Sequence, residues 1–242
     1  MKKLQRTLTL PTAIAISIGG MLSGIFVLPG IAVGITGSSI WLAFLVAALC
    51  VLPAVLSKSE LATAMPKSGG TYVYIERAFG PLFGTVSGLG LWLSLLLKSA
   101  FSLVGLSAYL YVIVQIDAGL SKIVALVSLG FILILNVFGV KKVGNTQLVI
   151  VSGSIVSLII IIFFGISSFD SKLLDPVFLD GNYGFISAVA FLYISYAGVT
   201  KVAAVAGEIK TPEKNLPRSM LISLFLITSV YILIGLVLVG NV

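Results

Sequence analysis

The residues of this chain that could do chemistry are few, and most carry no charge. Gly19, Gly20, Ser23 and Gly24 lie in a stretch, residues 7–57, that holds no charged side chain. Glycine costs about 1 kcal/mol relative to alanine inside a helix, so a cluster of three makes unwinding cheap. A helix broken in mid-membrane frees N–H and C=O groups that lipid cannot satisfy; it persists only where protein, water or a ligand meets them. The half-helix resuming near Ile25 would aim its amides into the gap, where a carboxylate is favoured. The competing reading is close helix packing through small residues. A second cluster, Tyr193, Ser195, Tyr196, Ala197 and Gly198, occupies the middle of a later apolar segment. Tyr193 and Tyr196, three apart, would share a helical face, although such tyrosines also serve as packing or interface anchors. Lys98 is the one charged residue between Ala78 and Ile116. A lysine at that depth marks function by default and is a candidate proton carrier; the alternative is a side chain that snorkels from a tilted helix.

What the chain lacks narrows its chemistry. It has no histidine and a single cysteine, Cys50. This removes histidine-based triads and metal sites, a disulfide framework and a cysteine metal quartet. No span carries paired carboxylates, so no catalytic residue, metal or cofactor is expected, and the chain does not read as an enzyme.

The elements that must position these residues follow from hydropathy. Of 242 residues, 59% are hydrophobic and 10% charged, with a mean hydropathy of +1.20. A soluble domain has about 25% charged residues, so an all-α polytopic membrane bundle is expected. A spanning helix needs roughly 20 mostly apolar residues. Seven segments qualify: Thr12–Thr36, Ile40–Ala64, Pro81–Tyr109, Ile123–Phe138, Thr146–Ser167, Tyr183–Ala206 and Ser219–Val239. The net charge of +7 does not call for nucleic acid, because the charges sit in short loops. Lys2, Lys3, Arg6, Lys58, Lys67, Arg77, Lys141, Lys142, Lys210, Lys214 and Arg218 fall on one side, against Lys122 and Lys172 on the other. The positive-inside rule then predicts a cytoplasmic N-terminus. The outer connection Phe169–Asp180 is acidic, through Asp170, Asp175 and Asp180. The chain stops directly after an apolar segment at Asn241-Val242, which reads as a truncated frame. Two breaks five spans apart are the pattern of inverted repeats, with residues 1–168 as the first repeat and 169–242 as the start of the second.

Two loops add detail. Met65-Pro66-Lys67-Ser68-Gly69-Gly70 follows the second span; Pro66 stops the helix and the glycine pair permits a turn or short re-entrant segment. Glu208-Ile209-Lys210-Thr211-Pro212-Glu213-Lys214-Asn215-Leu216-Pro217-Arg218 follows the sixth and reads as a stiff elbow. Each would also serve as an ordinary solvated loop.

Taken together, Ser23-Gly24-Ile25-Phe26 with Pro29-Gly30, Pro66-Lys67-Ser68-Gly69-Gly70-Thr71-Tyr72 with Phe79-Gly80-Pro81, Gly139-Val140-Lys141, and Glu208 through Pro217 resemble the signatures of the amino acid–polyamine–organocation transporters. The resemblance covers most of the chain. It implies a LeuT-type inverted-repeat fold, here cut off after about seven helices, with helices one and six discontinuous around the substrate. It further implies that Ser23, Gly24 and Ile25, with Gly20 beside them, hold an amino acid's carboxylate, and that Tyr196, Ala197 and Gly198, with Tyr193 nearby, complete the ammonium side. Helices one and six would move against a scaffold that includes helices three and four. Two departures stand out: Leu22 where the family often has glycine, and Val151-Ser152-Gly153-Ser154 where some proton-coupled members place a lysine. The expected function is secondary active transport of amino acids by alternating access, proton-coupled, with the lipid bilayer, the substrate and a proton or sodium ion as partners and Lys98 as the coupling candidate. The alternatives are a sodium- or cation-chloride-coupled transporter of the same fold, or a non-transporting membrane scaffold.

Overall fold

The computed structural model describes residues 6–114, 117–137, 140–174 and 181–241. Lys2, Lys3, Ile116, Phe138, Gly139, Asp175 and Asp180, on which some expectations above rest, lie outside them. Eight α-helices are described: α1 (Leu10–Thr36), α2 (Ile40–Ala64), α3 (Thr71–Phe79), α4 (Pro81–Val114), α5 (Ala118–Val137), α6 (Val140–Ile166), α7 (Gly181–Tyr193) and α8 (Pro212–Val239). A 15-residue 3-10 helix, Ile194–Glu208, continues directly from α7. Among the described residues the only strand-type pairing is one isolated bridge, so the protein is all-α. Among the described residues, five stretches are long and apolar enough to cross a membrane, and Leu10–Phe26 and Gly119–Ile134 are shorter apolar helices. This is an integral membrane protein.

The chain divides into two compact units. The first comprises residues 1–70 and 146–242, the second residues 71–145. In the first unit α2 runs along α8 and α7, while α1 packs on the 3-10 helix, α8 and α7. Its core is filled by Phe44, Tyr196 and Tyr231, joined by Ile18, Met21, Ile40, Leu192, Met220 and Ile227, all fully buried. Where α2 meets α8, a Cβ on Gly235 would come within 3.2 Å of the Trp41 main chain. Small residues allow such approaches between membrane helices, where van der Waals packing replaces the hydrophobic drive.

The second unit holds α3, α4 and α5. Gly80, at φ +90°, turns α3 into α4, and glycines let the two helices close up: a Cβ on Gly84 would sit 2.7 Å from that of Glu76. Along α4, Val86, Leu89, Trp92, Leu97 and Val104 are exposed, as suits a helix whose solvent is lipid. In α3, Tyr72 lies beside Glu76, whose negative charge pushes the phenol above its ordinary pKa. Burial does the same for Tyr74. The glycine pair after α2 makes a turn, with Gly69 at φ +127° and Gly70 at φ +56°. The Gly69 N–H donates to the Ala204 carbonyl at 3.0 Å, which ties this loop to the 3-10 helix.

Candidate functional site

The expected break in the first span is not there. α1 is a regular helix from Leu10 to Thr36 through all three glycines. Around these glycines its main-chain groups are satisfied within the helix, as a bilayer requires, with the exception of the Ile25 carbonyl four residues before Pro29, and Leu22 takes ordinary helical geometry. The glycines serve the other purpose, close packing. A Cβ on Gly20 would fall 2.8 Å from the Gly198 carbonyl oxygen, and a Cβ on Gly198 would fall onto the Gly20 carbonyl. One turn further, a Cβ on Gly24 would be 3.0 Å from both Cβ and Oγ of Ser195. A Cβ on Gly19 would run into the Gln147 side chain of α6. The structure therefore brings Gly20 and Gly24 directly against Ser195 and Gly198, main chain on main chain. The cost of glycine in a helix is offset because only glycine permits this approach.

The sixth span changes helix type instead of unwinding. α7 stops at Tyr193 and 3-10 geometry runs to Glu208, with one non-helical residue, Val205 (φ −110°, ψ 20°). Runs of 3-10 helix beyond three or four residues are uncommon, and a mid-helix stretch often marks a hinge. The two tyrosines expected on one face nonetheless differ in burial. Tyr193 is 42% exposed, whereas Tyr196 is fully buried. The Tyr196 hydroxyl donates to the Phe44 carbonyl of α2 at 3.1 Å, and its ring lies 5.3 Å from that of Tyr231. Tyr231 in turn packs at 4.8 Å on Phe44 and donates to the Met21 carbonyl of α1 at 2.7 Å. Two phenols in tilted contact thus bond the 3-10 helix to α2 and α8 to α1, next to the glycine crossing.

The polar groups left over at the crossing are few. The Ser195 hydroxyl is wholly buried and has no hydrogen-bond partner. The carbonyl of Ile25 lacks its helical donor, because Pro29 inside α1 has no N–H to offer. Ile25 is buried and Ser23 half-buried, while Ala197 is exposed. Lys98 is half-buried in α4 of the second unit, and its own carbonyl accepts a bond from the Ser102 hydroxyl at 3.0 Å.

Two lysines of the first unit carry no signal in the sequence that sets them apart. Lys58 of α2 donates to the Thr200 hydroxyl at 3.2 Å, and the Cδ of Lys201 would stand 2.9 Å from a Cβ on Gly20. By hydropathy alone they are loop or helix-end charges; only the packing of α1, α2 and the 3-10 helix half-buries them. In the sequence Ser195 is one member of a polar cluster and no more. Its isolation depends on Gly24, 171 positions earlier in the chain, a pairing that hydropathy does not report. No group of three or more metal-ligating side chains occurs among the described residues.

Comparison with known proteins turns this helical arrangement into a family assignment. The model of the amino acid permease family matches residues 12–242. The chain belongs to the amino acid permease family. Among its relatives, the serine/threonine exchanger SteT of Bacillus subtilis is 29% identical over 96% of this chain and 54% of its own length. The branched-chain amino acid permease BcaP of Lactococcus lactis is 27% identical over 99% of this chain and 57% of its own. Cationic amino acid transporter 7 of Arabidopsis thaliana, described as chloroplastic, is 25% identical over 97% of this chain and 44% of its own. This permease chain therefore spans about half the length of the relatives it matches.

Proposed function

We propose that the protein to which this chain contributes is a secondary active transporter of amino acids, with its N-terminus in the cytoplasm and its substrate bound where α1 crosses the 3-10 helix. The observation that carries the reading is the crossing itself: Gly20 against Gly198, and Gly24 against a buried Ser195 hydroxyl that has no partner. An unsatisfied buried hydroxyl costs about 1–3 kcal/mol, a cost that a zwitterion entering between the helices would remove. In this reading the crossing is closed in the structure and opens by about one amino acid's width. Ser195 then meets the carboxylate, helped by amides around Ser23, Gly24 and Ile25, while the Ile25 carbonyl and the main chain at Tyr196, Ala197 and Gly198 meet the ammonium. Residues 1–168 form the first of two inverted repeats and 169–242 begin the second. The grouping of helices supports alternating access: α1, α2, α7 and α8 belong to one compact unit, and α3, α4 and α5 to the other.

Ser195→Ala tests the site. Losing a hydrogen bond to a charged group costs about 1.5–3 kcal/mol, so binding of L-serine and L-leucine should weaken at least tenfold in the full-length protein. The ligand-free melting temperature should hold or rise slightly, because the hydroxyl has nothing to lose. Unchanged affinity with a lowered melting temperature contradicts the assignment. Lys98 is the proposed proton-coupling residue, since a lysine within a span is there for a reason. Lys98→Ala should flatten the pH dependence of uptake while leaving exchange of internal for external substrate intact; a normal pH profile removes it from the mechanism.

A further inference from the structure

Two like charges stand beside the glycine crossing with nothing of opposite sign to meet them. Lys58 of α2 donates from Nζ to the Thr200 hydroxyl at 3.2 Å. Lys201, the next residue along the 3-10 helix, lays its stem over the first span: its Cδ would stand 2.9 Å from a Cβ on Gly20. Both side chains are half-buried, and among the described residues neither forms an ion pair. The carboxylates closest in sequence cannot supply one. Glu60 is two positions from Lys58 on α2 and exposed, and residues two apart on a helix do not face each other. Glu208 lies seven residues past Lys201, about 14 Å along a 3-10 helix that rises about 2.0 Å per residue. A charge within a membrane helix is expensive and pairs where it can, and two of one sign repel each other. Lysines usually escape the cost by snorkelling outward. These two reach inward instead, one to Thr200 and one over Gly20.

We propose that Lys201, backed by Lys58, is a specificity determinant of the crossing and selects amino acids with a second carboxylate, L-glutamate and L-aspartate. This rests on the transport reading above and names its substrate class. The register of α1 supports it. Gly24, opposite Ser195, and Gly20, under Lys201, are four residues apart, so they share a face of the helix about 6 Å apart along its axis. A substrate whose α-carboxylate meets Ser195 therefore has Lys201 one turn away. An acidic side chain directed along α1 from Gly24 toward Gly20 ends beside the Lys201 ammonium, whose flexible four-carbon stem closes the remaining gap. Lys58 adds a second positive charge and fixes Thr200, the residue before Lys201. A neutral side chain in the same place leaves both charges unmet. Discrimination thus comes from what stays unpaired as well as from what is gained.

Competition binding to the full-length protein in lipid nanodiscs tests this subsite, with L-glutamate set against L-glutamine, which has the same length and no side-chain charge. A hydrogen bond to a charged group is worth about tenfold or more in affinity, so L-glutamate should bind at least about tenfold tighter than L-glutamine. Lys201→Gln should bring the ratio of the two affinities close to one, as should Lys201→Met, which keeps an apolar stem over Gly20. Lys201→Arg should retain most of the preference, and Lys58→Gln should lower it by less than Lys201→Gln does. The ratio is taken within each variant, so a packing defect that weakens both ligands alike does not imitate the result. Equal affinities in the parent protein overturn the proposal without any variant, and so does a preference that survives both Lys201→Gln and Lys201→Met. Failure of the transport reading has a different signature: the parent then binds none of L-glutamate, L-glutamine, L-serine and L-leucine, and the subsite falls with it. If L-serine and L-leucine bind and Ser195→Ala weakens them, while L-glutamate has no advantage over L-glutamine, the subsite alone is overturned and the crossing stands.

Discussion

Two glycine-bearing spans of one compact unit meet face to face and behave differently. α1 contains Gly19, Gly20 and Gly24 and remains a regular α-helix. The sixth span has Gly198 near its middle and leaves α-geometry four residues before it, at Ile194. Glycine density therefore does not decide where a membrane helix changes form. α1 is enclosed by the 3-10 helix, α8 and α7, and Gly19, Gly20 and Gly24 are each covered by a neighbour that needs the space. The 3-10 helix is narrower and rises further per residue, which suits a segment that must pass main chain to main chain over Gly20. Close contact keeps one partner regular, and the other takes up the mismatch.

Substitutions can break this comparison. The largest effect is expected at Gly198. A Cβ there collides with the Gly20 main chain, which cannot turn aside as a side chain could. Gly198→Val should destabilise the unit by about 3 kcal/mol or more, since overpacking typically costs 1–3 kcal/mol even where side chains can move. Gly30 is the control within α1, because a Cβ added to it would meet nothing within 4 Å; Gly30→Ala should be neutral or stabilising by up to about 1 kcal/mol. Thermal unfolding in lipid nanodiscs would measure both, and equal effects at the two sites would mean that the crossing is not close-packed. A smaller effect is expected from Tyr231→Phe, which removes the bond to the Met21 carbonyl but keeps the ring against Phe44 and Tyr196. A loss of about 1 kcal/mol is expected by the same measurement; no loss would show that the phenol bridge contributes only packing.

Much of the fold is legible in the sequence because hydropathy is a local property. The ends of α2 match the expected Ile40–Ala64, and α1 begins two residues before the expected Thr12. The turn at Gly69 and Gly70 follows from Pro66 and two residues free to take positive φ. The elbow is legible too, with Pro212 opening α8. The short helix α3 does not stand out as a separate element; its residues Thr71–Phe79 are too polar to span and so resemble loop. The extension of the fourth helix to Val114 follows from an apolar run with no stop signal.

The site is legible as a pair of clusters but not as an arrangement. Composition places small and polar residues at the middle of the first and sixth spans, and the structure puts those clusters in contact. Composition does not reveal that Tyr193 is exposed while Tyr196 is buried, since burial depends on which distant residues stand beside each ring, here Phe44 and Tyr231 beside Tyr196.

By itself the sequence determined that this chain is a bundle of membrane helices, roughly where each helix runs, and which turns join them. Those properties follow from apolar length, from proline's missing N–H and from glycine's access to positive φ, all of them local. Only the tertiary structure decided that the α1 glycines pack instead of unwinding, that Ser195 is left without a partner, and that Lys201 reaches over Gly20. A glycine either opens a helix or admits a neighbour, at similar local cost. Which of the two occurs depends on what stands opposite, and that is fixed by residues far away in the chain.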